Sequence, residues 1–257
     1  MNIPQISPEQ IEILSLIFLR VSAMIITVPV LGNRSVPLKI KGGLSIIITF
    51  LLFPFIQYHV TSYAILPLVL KMTGEVFIGI IIGLTGRLLF AGVQLAGQLI
   101  GFQMGFAIVN VVDPVTSSQV SIISQLQYLL AMLIFLAVNG HHIFLYAIIE
   151  SYNMIPPFSF HFSGQLMQSI ITLSKDIFVV AIKTGAPVIT ILLLTSVGLG
   201  LIARTVPQIN IFIVGFPLKI AIGLIGIGLT LPLFAKIVGT LFLSFDGKLK
   251  LLMQVMG

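Results

Sequence analysis

GQLIGFQMGFAIVNVVDPVTSSQVSIISQ, residues 97–125, interrupts a very apolar chain near its middle. Its first half reads as a helix: Gly97, Gly101 and Gly105 recur every four residues, so they stack in one column and permit close helix approach. Such a column serves packing within the chain or against other subunits. Three glycines in register, with Gln94 and Gln98 also four apart, favour subunit packing. The second half cannot continue as a lipid-facing helix. Pro114 disfavours helical geometry at Asp113 and cannot donate a hydrogen bond, so the helix is expected to stop before it. Thr116, Ser117, Ser118, Gln119, Ser121 and Ser124 then make the segment too polar for lipid. Non-helical backbone at membrane depth is tolerated only inside protein or beside water.

Working outward, 58% of the 257 residues are hydrophobic and 8% are charged, against about 25% charged in soluble domains. Mean hydropathy is +1.18. Runs free of Asp, Glu, Lys and Arg cover 42–70, 88–112, 114–149 and 184–203, and about 20 such residues cross a bilayer as a helix. Period-2 alternation of the barrel kind is missing, so the fold is all-α, an integral membrane protein of long bent helical hairpins. The net charge of +6 comes from thirteen dispersed basic residues, which argues against nucleic acid and for membrane topology and lipid headgroups. There is no cysteine, which excludes disulfides and thiol chemistry.

About six apolar helical segments are expected in one domain spanning 1–257: 8–30, 44–58, 65–112, 125–150, 175–203 and 209–243. Pro8 suits the start of the first. Arg20 lies near its middle, where it either snorkels or faces a protein or aqueous interior. The basic turn around Arg34, Lys39 and Lys41 reads as cytoplasmic. The 65–112 run would be about 70 Å long as one helix, so it must bend, break or leave the membrane. Lys71 and Glu75 are one turn apart and can pair. Arg87 and Lys183 complete the charges expected to be buried within apolar runs, and Pro187 is expected to kink its helix. A polar loop over 150–168 and a short basic tail after 243 finish the plan. Basic residues do not sort to one side under a simple six-span count, so some hairpins are expected not to cross.

Catalysis finds no support: paired carboxylates, HExxH, P-loop, GxSxG and dinucleotide fingerprints do not occur. His141 and His142 point about 100° apart on a helix and make a poor metal pair. No cofactor is expected. A secondary transporter for a small solute, using Arg20, Glu75, Asp113 and Lys183 as intramembrane charges, is the alternative reading.

Three segments carry a resemblance: RVSAMIITVPVLGNRSVPLKIKGG at 20–43, GQLIGFQMGFAIVNVVDP at 97–114 and RTVPQINIFIVGFPLKI at 204–220. They resemble the FliR family of flagellar type III export proteins, whose relatives include injectisome T subunits. The resemblance implies an export-gate subunit in the bacterial inner membrane at the flagellar basal body, structurally like a FliP-like and a FliQ-like subunit joined. It also implies FliP-like, FliQ-like and FlhB-like partners, and unfolded flagellar proteins as cargo. The family's plug loop falls on 105–121: Phe106, Val109 and Val112 would supply the apolar block, Asp113 and Pro114 the turn, and Gly105 the freedom to move.

Overall fold

The computed structural model describes residues 7–33, 35–56, 65–106, 121–157, 159–208 and 211–257. Those residues are helical without strands: α1 (Pro8–Thr27), α2 (Leu38–Leu52) with a 3₁₀ turn (Phe53–Phe55), α3 (Ile65–Met104), α4 (Ile122–Ala137), α5 (Gly140–Met154), α6 (Gly164–Thr205), α7 (Ile211–Leu243) and α8 (Phe245–Met256). Five helices are long and apolar enough to cross a membrane, or six if the bent α4–α5 pair counts as one span. The chain divides into two compact units. The first holds Met1–Arg87, Asn139–Leu173 and Ser244–Gly257; the second holds Leu88–Val138 and Ser174–Leu243.

Local chemistry explains where these helices begin and end, and several ends differ from expectation. Ser7 and Gln10 form a reciprocal capping box ahead of α1, with Pro8 in its first turn. α2 starts at Leu38 after Pro37, not at 44, so Lys39 and Lys41 belong to its first turn. Lys41 is buried, and its Nζ donates to the Asn33 carbonyl at 3.0 Å. The expected 125–150 span breaks at Asn139-Gly140, where Asn139 takes a left-handed φ of 56° between α4 and α5. α6 begins eleven residues before the expected 175, because Ser163 Oγ caps it by accepting the Leu166 amide at 3.1 Å. It remains one helix through Pro187. The expected basic tail is instead α8, whose Phe245, Leu249, Leu252, Met253 and Met256 lie on one buried face.

In the first unit, α3 lies against α1 through Gly79 and Gly83, a second four-residue glycine pair on the same helix as the column at 97–105. A Cβ on Gly79 would come within 2.9 Å of Ala23 Cβ and 3.0 Å of the Met24 nitrogen. One on Gly83 would overlap the Thr27 side chain. Thr27 satisfies its own hydroxyl by donating to the Ala23 carbonyl at 2.8 Å. α8 packs on α5 in the same unit, with the Phe144 and Phe245 rings 5.3 Å apart. In the second unit, Phe90, Phe135 and Phe242 form an aromatic triangle with centroid distances of 5.0 to 5.6 Å.

Replacing Gly83 with Leu overpacks the α1–α3 contact and should cost about 1–3 kcal/mol or more. A clear fall in the apparent melting temperature of the detergent-solubilised chain is expected. Gly228→Leu should leave that temperature nearly unchanged, since a Cβ there meets nothing within 4 Å. Equal losses in the two variants would refute the close-approach account.

Candidate functional site

Two places concentrate the polar and conformational features of the chain, one in each unit. The first unit encloses Arg20, which is 0% exposed, and Glu75, which is 1% exposed. α1 carries the guanidinium and α3 the carboxylate. Nε donates to Glu75 Oε2 at 2.7 Å, Nη1 donates to the Ser151 carbonyl and hydroxyl at 3.0 and 3.1 Å, and Nη2 donates to the Ile155 carbonyl at 3.1 Å. The two carbonyls belong to the C-terminal end of α5, where the helix dipole favours a cation; that of Ser151 also accepts the Ile155 amide at 2.9 Å. Tyr152 closes the remaining side with its ring face, the guanidinium carbon lying 4.0 Å from the centroid. Its buried hydroxyl has no hydrogen-bond partner among the described residues.

Arg20 therefore faces a protein interior. Glu75, which the sequence pairs with Lys71, binds Arg20 from 55 positions away; the Lys71 side chain lies outside the described residues. Of the other expected buried charges, Arg87 and Lys183 are both exposed on their helices. An apolar run indicates that a charge is costly, but only tertiary packing decides which side of the helix it takes. The Arg20 partners Ser151, Tyr152 and Ile155 were missed because they fall inside the 150–168 segment read as a loop.

The second place is the end of α3 in the second unit. The helix stops at Met104, ten residues before Pro114, because Gly105 takes φ +94°. The Gly105 amide donates to the Phe102 carbonyl and the Phe106 amide to the Gly101 carbonyl, each at 3.1 Å, which is the paired closure of a Schellman motif. Phe106 then packs against the buried cluster of Ile100, Met104, Ile123, Val188 and Leu192. Val109, Val112, Asp113 and Pro114 lie outside the described residues. The chain is described again from Ser121, whose carbonyl accepts the Gln125 amide at 3.0 Å as α4 starts.

The glycine column is occupied from within the chain. A Cβ on Gly97 would strike the Ser124 backbone, and one on Gly101 would strike the Ser121 hydroxyl. Gln127 Oε1 lies 3.1 Å from the position of a Gly97 Cβ, so the Gln127 side chain also fills that space. Ser124 donates to the Gln94 carbonyl at 2.9 Å. Gln98, Leu99 and Phe102 instead point outward on α3. Subunit packing expected at Gly97 and Gly101 is thus replaced there by α4, while Gln98 stays on an open face.

His141 and His142 have ring centroids 4.2 Å apart, and no group of three His, Cys, Asp or Glu among the described residues could hold a metal. Neither place assembles a nucleophile beside a base. What they offer is fixed geometry: one pins a helix end, and the other ends a helix at a defined point.

The chain matches the family described as bacterial export proteins, family 1, over residues 11–245. It is 37% identical over 213 residues to the flagellar biosynthetic protein FliR of Bacillus subtilis (strain 168), with 82% of each chain covered. The FliR of Escherichia coli (strain K12) is 33% identical over 225 residues, covering 87% of this chain and 86% of that one. The FliR of Aquifex aeolicus (strain VF5) is 28% identical over 240 residues, with 93% of each covered.

Removing one partner of a buried ion pair leaves the other uncompensated, so Arg20→Leu or Glu75→Leu should each destabilise by about 3–5 kcal/mol. The double variant should lose far less than the sum of the two. Tyr152→Phe should be near neutral, since it keeps the ring and deletes only an unpartnered hydroxyl. Thermal unfolding in detergent reads all four variants, and strict additivity of the single losses would contradict the pairing.

Proposed function

This chain belongs to the FliR family of bacterial export proteins, and on that premise we propose that it forms part of the protein-conducting channel of the flagellar export gate. Residues 105–121 close that channel. The chain is a component of the flagellar export apparatus, embedded in membrane through its long apolar helices. Its work is transport and assembly, with no chemistry of its own. It sits in the inner membrane at the flagellar basal body, beside FliP-like, FliQ-like and FlhB-like subunits, and passes unfolded flagellar proteins.

One observation carries the closing role: both ends of the proposed plug are held on the same rigid base. Phe106 is seated on the core of the second unit, and Ser121 stands against Gly101 at the start of α4. Adjacent, fixed ends are what a plug anchored on one wall of a channel needs. Val109 and Val112 give it an apolar surface, and an apolar constriction stops ions by dewetting while yielding to an unfolded chain. Asp113 and Pro114 shape its turn. The outward Gln98, Leu99 and Phe102 offer α3 a face for sister subunits. The transporter reading is weakened, because two of its four charges, Arg20 and Glu75, are bound to each other and a third, Lys183, is exposed.

Deleting 109–117 from the assembled complex should raise ion leakage across the membrane while the complex still assembles. A cysteine placed at Val109 in this cysteine-free chain should crosslink to an export substrate stalled in transit. Unchanged conductance together with labelling only from the lipid phase would sink the plug assignment.

A further inference from the structure

The turn that ends α3 is covered by a side chain that the closing role leaves unused. A Cβ on Gly105 would stand 2.5 Å from Cδ1 and 2.8 Å from Cε1 of Phe216, so the Phe216 ring lies directly on the glycine. Phe216 sits in the second turn of α7, in the same unit as the end of α3. Its own helix explains why it lands there. Phe216, Ile220, Gly223 and Ile227 recur at spacings of four, three and four, which puts them on one face of α7. That face meets the core holding the end of α3. The Met104 side chain nests over Gly223, with Cγ, Sδ and Cε each 2.8 Å from where a Cβ would be, and Ile220 and Ile227 pack on the cluster that contains Ile100 and Met104.

Glycine is needed at 105 on two grounds. Its φ of +94° is one that a residue with a Cβ adopts only under strain, and the ring leaves no room for a Cβ. The conformation and its cover act together. The Gly105 and Phe106 amides close α3 by donating to the Phe102 and Gly101 carbonyls, and turning the backbone at Gly105 to open those bonds would drive it against the ring. Pro217, next to Phe216, supplies no amide to the Ile213 carbonyl, so the turn that carries the ring is joined to the body of α7 by one hydrogen bond fewer than an ordinary turn. Withdrawing the ring therefore costs less than withdrawing a side chain from the middle of an unbroken helix.

We propose that Phe216 is a positioning residue for the closed state: its ring clamps the turn at Gly105 and so holds the direction in which the chain leaves α3. The clamp deepens the closing role proposed above. It rests on that reading for its effect on leakage, and on the Phe216–Gly105 contact alone for its effect on the turn.

Phe216→Ala in the full chain, co-assembled with its export partners, should speed deuterium exchange at the Gly105 and Phe106 amides by roughly tenfold or more, because local opening no longer has to displace the ring. Amides of α4 around Phe135, in the same unit, should exchange as before. Phe216→Leu, which keeps an apolar cover, should restore most of the protection. Ile213→Ala, whose side chain is 71% exposed on the same stretch of α7, should leave exchange unchanged. Gly105→Ala should lower the melting temperature less in the Phe216→Ala background than in the wild type, since the ring is part of what the new Cβ strikes. Unaltered exchange at Gly105 and Phe106, or a rise shared equally by α4, would overturn the proposal. In the same complexes Phe216→Ala should raise ion leakage, though less than deleting 109–117 does. If the deletion leaks and Phe216→Ala does not, the clamp does not hold the closed state and the proposal falls. If the deletion itself does not leak, the closing role falls, and exchange at the turn still decides the clamp.

Discussion

A guanidinium taken out of water in a chain that is 8% charged has to be matched on every side by protein. Arg20 meets that demand with a carboxylate from α3, two carbonyls and a hydroxyl from the end of α5, and an aromatic face. Each contact fixes a direction as well as an energy, since guanidinium donors lie in a rigid plane. The path of α1, the height of Glu75 on α3 and the stopping point of α5 are therefore not independent choices. Apolar side chains around them could slide without losing burial, whereas these donors and acceptors could not. The pair contributes little net stability against an apolar alternative, and its physical role is to single out one arrangement among many similar greasy ones.

The close approach of α3 to its neighbours follows a different rule in each unit. Against α1 it uses Gly79 and Gly83, which bring backbone against backbone beside the ion pair. Against α4 it uses Gly97 and Gly101, where serines occupy the space that side chains would fill. Helices gain little from the hydrophobic effect when lipid is the alternative solvent, so contact distance and satisfied polar groups carry the packing. Both contacts supply them, and Ser124 shows how: its hydroxyl reaches a carbonyl of the facing helix.

The all-α class and the long apolar helices were legible, because long uncharged runs in lipid favour helices; α8 was not, since its Asp246, Lys248 and Lys250 read as a basic tail. So was the start of α1, where Pro8 sits beside a capping serine. The break at Asn139-Gly140 was present in the sequence as a turn dipeptide, but the surrounding apolar run outweighed it. The early start of α6 was written in Ser163, which compositional reading merged with a polar loop. At Gly105 the same residue type served two uses, and only the backbone distinguishes a glycine that packs from one that ends a helix. Arg20 and Glu75 are buried against each other, and their pairing spans elements that no local spacing connects. Arg87 and Lys183 show the converse: their runs are apolar, yet their own side of the helix is open.

The paired closure at Gly105 answers two of the four carbonyls at the end of α3, with the Gly101 and Phe102 carbonyls met by the amides of Phe106 and Gly105. Both donors belong to the first two residues past the helix, so the chain's exit from α3 is aimed before residue 107 is reached. The end of α3 thus works as a muzzle: the direction in which the chain leaves is set by a glycine and a phenylalanine seated in the core.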